Sequence, residues 1–244
     1  MRIGTAEHGR RRRRFLRLDN GFEYHKSEWL ESPADDVPSP TAFLVEQEPG
    51  STLPTHFHTQ NEFQVVVAGD GRFARHAVRA VSVHYAGAYT GYGPIVAGPS
   101  GLSYFTLRSV FESGAHFLPE ARDRLRRGPK VQRFGDPIDP LAPQRLRSLG
   151  SVGVEDIIPS EDGLFARVAL LPPGVVLPIR HEGPSSGQFQ MVLAGSLCAD
   201  EHALGALEMV FLAPDADGAD LVAGSGGAQV LCLQLPRRAA EYEP

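Results

Sequence analysis

Apolar residues along the chain fall into short runs separated by turn residues. Phe63–Val67, Leu102–Leu107, Val168–Leu171, Met191–Leu193 and Val230–Leu233 are the clearest, and 26 Gly and 20 Pro punctuate the rest. Runs of this length between Gly and Pro predict many short strands joined by tight turns, an all-β sandwich or barrel. One segment, Leu118–Arg127, predicts a helix, with Pro119 near its start and Glu120, Arg122 and Asp123 behind it. Side chains alternate faces along a strand. Glu62, Gln64 and Val66 therefore share one face, and Phe63, Val65 and Val67 share the other. Phe189, Met191 and Leu193 repeat the second set. The outer face is largely apolar and must be covered. The sister half of the chain, the N-terminal arm or a second copy in a homodimer would cover it.

The pattern repeats. Phe63–Gly69 matches Phe189–Gly195 at an offset of 126, and the same offset pairs Ala97–Gly98 with Ala223–Gly224 and Tyr104–Leu107 with Val230–Leu233. Upstream, Glu48–Gly50 matches Pro172–Gly174 at an offset of 124, which places an insertion in the turn Glu182–Gly187. The expected organisation is two homologous β-domains, roughly 1–130 and 131–244.

Charge and cysteine content narrow the partners. The net charge of −5 argues against nucleic acid. The one basic cluster, Arg10–Arg14 with Arg17, reads as a solvated or frayed N-terminal arm. No apolar run reaches the roughly 18 residues that cross a bilayer, and no apolar stretch follows the basic N-terminus as in a signal peptide. Cys198 and Cys232 both sit in apolar runs, which predicts buried thiols in a reducing, cytoplasmic setting. The expected partner is a small molecule.

The densest chemistry lies in Gly50–Glu62. His56 and His58 are two residues apart, so an extended backbone points both imidazoles the same way. Glu62 keeps the same parity beyond a polar turn. Two imidazoles and a carboxylate suit one divalent transition metal, and this trio with open positions is the inventory of non-haem Fe(II) oxygenases. Iron is the first expectation; Zn, Mn, Ni or Cu fits the same ligands. In the second repeat Arg180, Glu182 and Gln188 take these places, and His181 is one residue out of register. Arg offers no lone pair, so the second repeat lacks the shell and serves as a structural partner or an organic-ligand site.

These residues resemble the first motif of the cupins, G-x5-H-x-H-x3-4-E-x6-G. Gly50, His56, His58, Glu62 and Gly69 fit it at every spacing. The resemblance spans both halves and implies a bicupin of two tandem antiparallel β-barrels (double-stranded β-helix, or jelly roll), with the motif residues facing the interior. In many cupins those residues bind Fe, Mn, Ni, Zn or Cu. The second cupin motif, P-x-G-x2-H-x3-N, is degenerate here. Aligned on Gly87, Thr90 stands where the family has its third His, and Tyr92 shares the inward face two residues on. The fourth ligand is then Tyr92, His84 or water. Gln64, two residues after Glu62, also faces inward and must satisfy its amide there. Gln64 and Tyr92 are the residues expected to orient substrate or move protons. Two functions remain open: a dioxygenase-like metalloenzyme (isomerase, decarboxylase and lyase reactions also occur in cupins) or a non-catalytic protein that binds or senses a small ligand.

Overall fold

Strand pairing follows the repeat to the residue. The computed structural model, which describes every residue except Ala34, Val37 and Pro244, is all-β and contains two antiparallel sheets with one strand order. In the first, Ser82–Ala86, Glu62–Phe73, Ile95–Arg108, Thr41–Gln47 and Glu23–Leu30 lie side by side in that sequence. In the second the order is Met209–Leu212, Ser185–Ala199, Ala219–Pro236, Leu164–Leu171 and Gly153–Glu161. Phe63 opposes Leu107 in one sheet, and Phe189 opposes Leu233 in the other.

Each sheet takes an edge strand from farther along the chain. Gln132–Phe134 pairs with Ser82–Ala86, and Arg2–Gly4 pairs with Met209–Leu212. Those pairings occupy ladder groups that an edge would leave open. The chain divides accordingly. The N-terminal unit is Gly9–Ile138 with Arg238–Pro244, and the C-terminal unit is Met1–His8 with Asp139–Arg237.

Directly opposed residues share a face. In the N-terminal unit Gln64 opposes His84 and Thr106, while Phe63 opposes Tyr85 and Leu107. The interior face carries a cluster that includes Val45, Val66, Phe73, Ile95 and Tyr104. On the other face Phe63, Val65, Phe105 and Leu107 are wholly buried, so both faces of these strands are covered. In the C-terminal unit Phe165, Leu171, Val192, Leu212 and Val230 belong to the corresponding core.

The glycine that closes the cupin-like motif has a steric reason. Gly69 sits at φ 73°, and a Cβ there would lie 2.1 Å from the Gly101 carbonyl oxygen. Its repeat partner Gly195 has φ 77° and would meet Gly227 O at the same distance. Both mark an irregularity where two long strands approach too closely for a side chain.

Two local expectations fail. Leu118–Arg127 is not a helix; it contains one short 3₁₀ turn, Arg122–Arg124. The backbone closes i→i−3 bonds, Arg122 N to Pro119 O and Arg124 N to Ala121 O, while Leu118 N–H is taken by Thr55 O. Leu118, Ala121 and Leu125 pack against a cluster containing Phe57 and Tyr89. The α-helices among the described residues are Ala6–Arg11 and Pro143–Arg147. The basic arm is solvated as expected, with Arg10–Arg14 and Arg17 exposed, but it is not frayed. Arg14–Arg17 is a strand paired with Glu23–Leu30. Arg12, Arg13 and Arg14 reach Glu31, Glu46 and Glu28 at 2.8, 2.8 and 2.9 Å. No helix among the described residues is long and apolar enough to cross a membrane.

Candidate functional site

Four short stretches of the N-terminal unit meet at one point. His56 belongs to the two-residue strand His56–Phe57, and a two-way backbone bridge (3.1 and 2.9 Å) fixes it beside Tyr92. Glu62 and Gln64 open the strand Glu62–Phe73, whose alternation turns both inward. Ser82–Ala86 brings His84 opposite Gln64, and Ile95–Arg108 ends in Arg108. His56, His58, Glu62, Gln64, His84, Tyr92 and Arg108 are all buried. His84 therefore points into the unit.

The hydrogen bonds run in one direction. Gln132 Nε2 donates to His84 Nε2 at 2.9 Å, and His84 Nδ1–H donates to Gln64 Oε1 at 2.5 Å. Gln64 Nε2 donates to the Tyr92 hydroxyl at 3.1 Å, and that hydroxyl donates to Glu62 Oε1 at 2.7 Å. Arg108 donates from Nε at 2.8 Å and from Nη2 at 2.6 Å to Glu62 Oε2. Burial holds His84 neutral, its pKa pushed down to about 3. Burial also drives the Tyr92 phenol well above its ordinary value, and the Glu62 charge adds to the effect. For Glu62 burial opposes ionisation, but the fields of His58 and Arg108 and the bonds from Tyr92 and Arg108 outweigh it and hold the pKa at about 2.

Both histidines are fixed by an oxygen acceptor on Nδ1. His56 Nδ1 stands 2.8 Å from Pro54 O, and a carbonyl can only accept, so the proton sits on Nδ1. Burial, and then the neighbouring His58, lowers the His56 pKa to about 4, so the ring is neutral at pH 7 and its Nε2 carries a lone pair. That lone pair faces the Tyr92 hydroxyl oxygen at 3.0 Å. The single hydroxyl proton goes to the closer, charged acceptor Glu62, which leaves His56 Nε2 without a donor. His58 Nδ1 stands 3.1 Å from Glu112 Oε2, whose other oxygen accepts Thr59 N–H at 2.8 Å. His58 Nε2 then faces Glu62 Oε1 at 3.9 Å. An imidazole whose far nitrogen is tied to a carbonyl or carboxylate is the arrangement that presents Nε2 to a metal.

Among the described residues no three histidine, cysteine or carboxylate side chains converge in the geometry that holds an ion. The donor set fits in kind: the His56 Nε2 lone pair, His58 Nε2 on the ring edge away from Glu112, and Oε1 as the Glu62 oxygen not committed to Arg108. Closing the shell requires Glu62 Oε1 and the Tyr92 hydroxyl to shift relative to each other. Thr90, at the family's third-His position, accepts Val131 N–H at 3.1 Å through its hydroxyl and is not part of the cluster. A cavity of about 180 Å³ opens onto His56, His58, Tyr92, Tyr104, Arg108 and Glu112.

Arg108 and Glu112 are the participants that sequence reasoning missed. Arg108 had a signal. It ends an apolar strand, and its repeat partner at offset 126 is the equally buried Gln234. Gln188, the partner of Glu62, donates to Gln234 at 2.8 Å. An ion pair in one unit is thus an amide pair in the other. Glu112 carried no such signal. At the other second-repeat positions, Arg180 and Glu182 are exposed, and Glu182 pairs with Arg167. His181, expected on the opposite face, stands 3.3 Å from Gln188 Nε2. Val176–Ile179 ends before it, so strand alternation no longer sets its direction.

No protein-family model matches the chain, and no curated protein sequence matches it. Solved structures do. A "putative dioxygenase" of Nostoc punctiforme aligns at a TM-score of 0.56 and 10% identity over 95% of this chain and 82% of its own. The oxalate decarboxylase of Lactobacillus farciminis, in its formate complex, aligns at 0.55 and 12% over 91% and 82%. A Bacillus subtilis oxalate decarboxylase described by its Mn(II) centres aligns at 0.52 and 13% over 93% and 75%. At this identity the likeness establishes the fold, which is that of the cupins.

Proposed function

We propose that the chain is a bicupin whose N-terminal unit holds a single divalent transition metal ion through His56, His58 and Glu62 and acts on a small molecule, with dioxygenase-like chemistry as the leading class. The observation that carries this reading is the pair of Nδ1 anchors, Pro54 O and Glu112, which aim two imidazole Nε2 atoms at one polar point. A bound metal would supply Lewis-acid polarisation or dioxygen activation there.

The remaining roles belong to the protein. Gln64 is held by His84 so that its amide N–H positions the Tyr92 hydroxyl. Tyr92 stays protonated and is a proton donor at the pocket wall. Arg108 places one positive charge between two carboxylates, 2.6 Å from Glu62 and 3.8 Å from Glu112. A pocket of about 180 Å³ lies below the usual range of ligand cavities, so the substrate is small. Metal analysis of untagged protein after reconstitution tests the reading. About one equivalent per chain, lost in His56→Ala/His58→Ala, is the expected result.

The bidentate hold of Arg108 on Glu62 favours a second reading, a non-catalytic barrel that binds a small polar ligand between the Tyr92 network and Tyr104. Protein that takes up no metal and still binds small ligands in this pocket would select it.

A further inference from the structure

The C-terminal unit contains a cavity of about 400 Å³ with Phe165, Leu171, Ile179 and Cys232 in its walls and Gln190 on its polar side. This volume lies in the range of small-molecule sites. Three side-chain amides lead to it in one direction. Gln234 Nε2 donates to Gly163 O at 2.7 Å and Glu182 O at 2.6 Å. Carbonyls only accept, so the Gln234 amide cannot be reversed. Its Oε1 accepts from Gln188 Nε2 at 2.8 Å, and Gln188 Oε1 accepts from Gln190 Nε2 at 3.0 Å. The relay ends on Gln190 Oε1, which has no partner and lies just out of a water's reach, so a donor in the cavity meets it after a turn of the Gln190 side chain.

The repeat explains the orphan. In the N-terminal unit the matching Gln64 Oε1 accepts a hydrogen bond from His84 on the opposed strand. Gln190 faces Val210 in the same register, a side chain with no donor. One unit satisfies this acceptor internally and the other leaves it bare. A buried acceptor without a partner is costly, and a visiting donor removes that cost.

The surroundings define the visitor. Arg167 is bonded to Asp156 and Glu182, and Arg180 donates to Ile179 O and pairs with Asp220. No cation lining the cavity is left uncommitted for an anion. Burial keeps the Cys232 thiol protonated, with its pKa pushed up to about 12. Val152, Val154 and Val176 are all exposed and also line the cavity, so an apolar body meets apolar surface from the rim inward. We propose that this cavity binds a small neutral molecule with an apolar body and one hydrogen-bond donor, of the phenol or alcohol class, whose O–H is accepted by Gln190 Oε1.

1-Naphthol, naphthalene and 1-naphthoate share one body and differ in donor and charge. Titrated calorimetrically into the full chain at neutral pH, 1-naphthol is expected to bind at least about tenfold more tightly than the other two. Gln190→Leu should bring 1-naphthol down to the level of naphthalene. Crystals soaked with 6-bromo-2-naphthol give an independent reading should that variant not fold. The bromine should appear inside the cavity, with the hydroxyl at hydrogen-bond distance from Gln190. Equal binding of the three probes, a preference unchanged in Gln190→Leu, a bromine peak elsewhere, or no binding up to about 1 mM overturns the proposal.

Discussion

Arg108 places two hydrogen bonds on a single carboxylate oxygen of Glu62, both residues being almost entirely buried. Removing one member of such a pair strands the other charge away from water. Arg108→Leu should therefore lose about 3–5 kcal/mol of stability in urea unfolding. The double variant Glu62→Gln/Arg108→Gln installs the Gln188–Gln234 solution of the C-terminal unit and should recover most of that loss. A double variant as unstable as Arg108→Leu would show that the pair is not interchangeable with its repeat counterpart.

Acid should weaken the metal-free protein in a defined window. His56 and His84 have folded pKa values lowered to about 4 and about 3 from 6.5. Their contribution is complete above pH 6.5 and is lost as pH falls through the folded values. Glu62 is lowered to about 2 from 4.5, so its contribution is complete above pH 4.5 and is lost as pH falls toward 2. All three act in the same sense. Each group adds up to about 1.4 kcal/mol per pH unit to the slope between its two pKa values. Urea unfolding at a series of pH values, repeated on His84→Gln, should show a shallower acid limb in the variant. Equal slopes would contradict the assignment of His84 as a buried neutral ring.

Local parts of the site were legible because strand alternation is a short-range rule. His56, His58, Glu62 and Gln64 lie within nine residues, and the spacing alone puts them on one face. The fold class followed from the same runs and from the offset of 126. Arg108 reaches the site through strand pairing and Glu112 through contacts with His58 and Thr59, in each case with residues more than forty positions away, and no local pattern records either. Leu118–Arg127 was misread for the same reason. Pro119 and the charged residues behind it suit a helix start, but a tertiary cluster and the Thr55 carbonyl claim the segment.

The motif glycines should differ sharply in tolerance. Gly69→Ala and Gly195→Ala combine a left-handed backbone with a Cβ 2.1 Å from a carbonyl oxygen. Each should cost more than about 2 kcal/mol. Gly50→Ala meets nothing within 4 Å despite φ 70°, so it should cost only about 1 kcal/mol. Thermal unfolding of the three variants ranks them directly, and equal losses would refute the steric account.

Thiol labelling separates the two cysteines. Both are free; Cys198 is partly exposed, and Cys232 is buried with its pKa raised to about 12 by burial, Arg167 only partly opposing the rise. Native protein treated with iodoacetamide should take up label at Cys198 and reach Cys232 only after denaturation. Mass-spectrometric mapping that found Cys232 alkylated in the folded chain would contradict the buried assignment.

The central claim is that His56 and His58 hold their protons on Nδ1 and offer Nε2 to one ion. Long-range ¹H–¹⁵N correlation spectra of the imidazoles in metal-free protein at neutral pH, recorded before and after addition of Zn²⁺, test it directly. The account predicts a proton on Nδ1 of both rings, with His56 as the neutral Nδ1–H tautomer, and a shift of both Nε2 resonances on saturation at one equivalent. An Nε2–H tautomer at either ring, or Nε2 resonances that do not move with added metal, would contradict it.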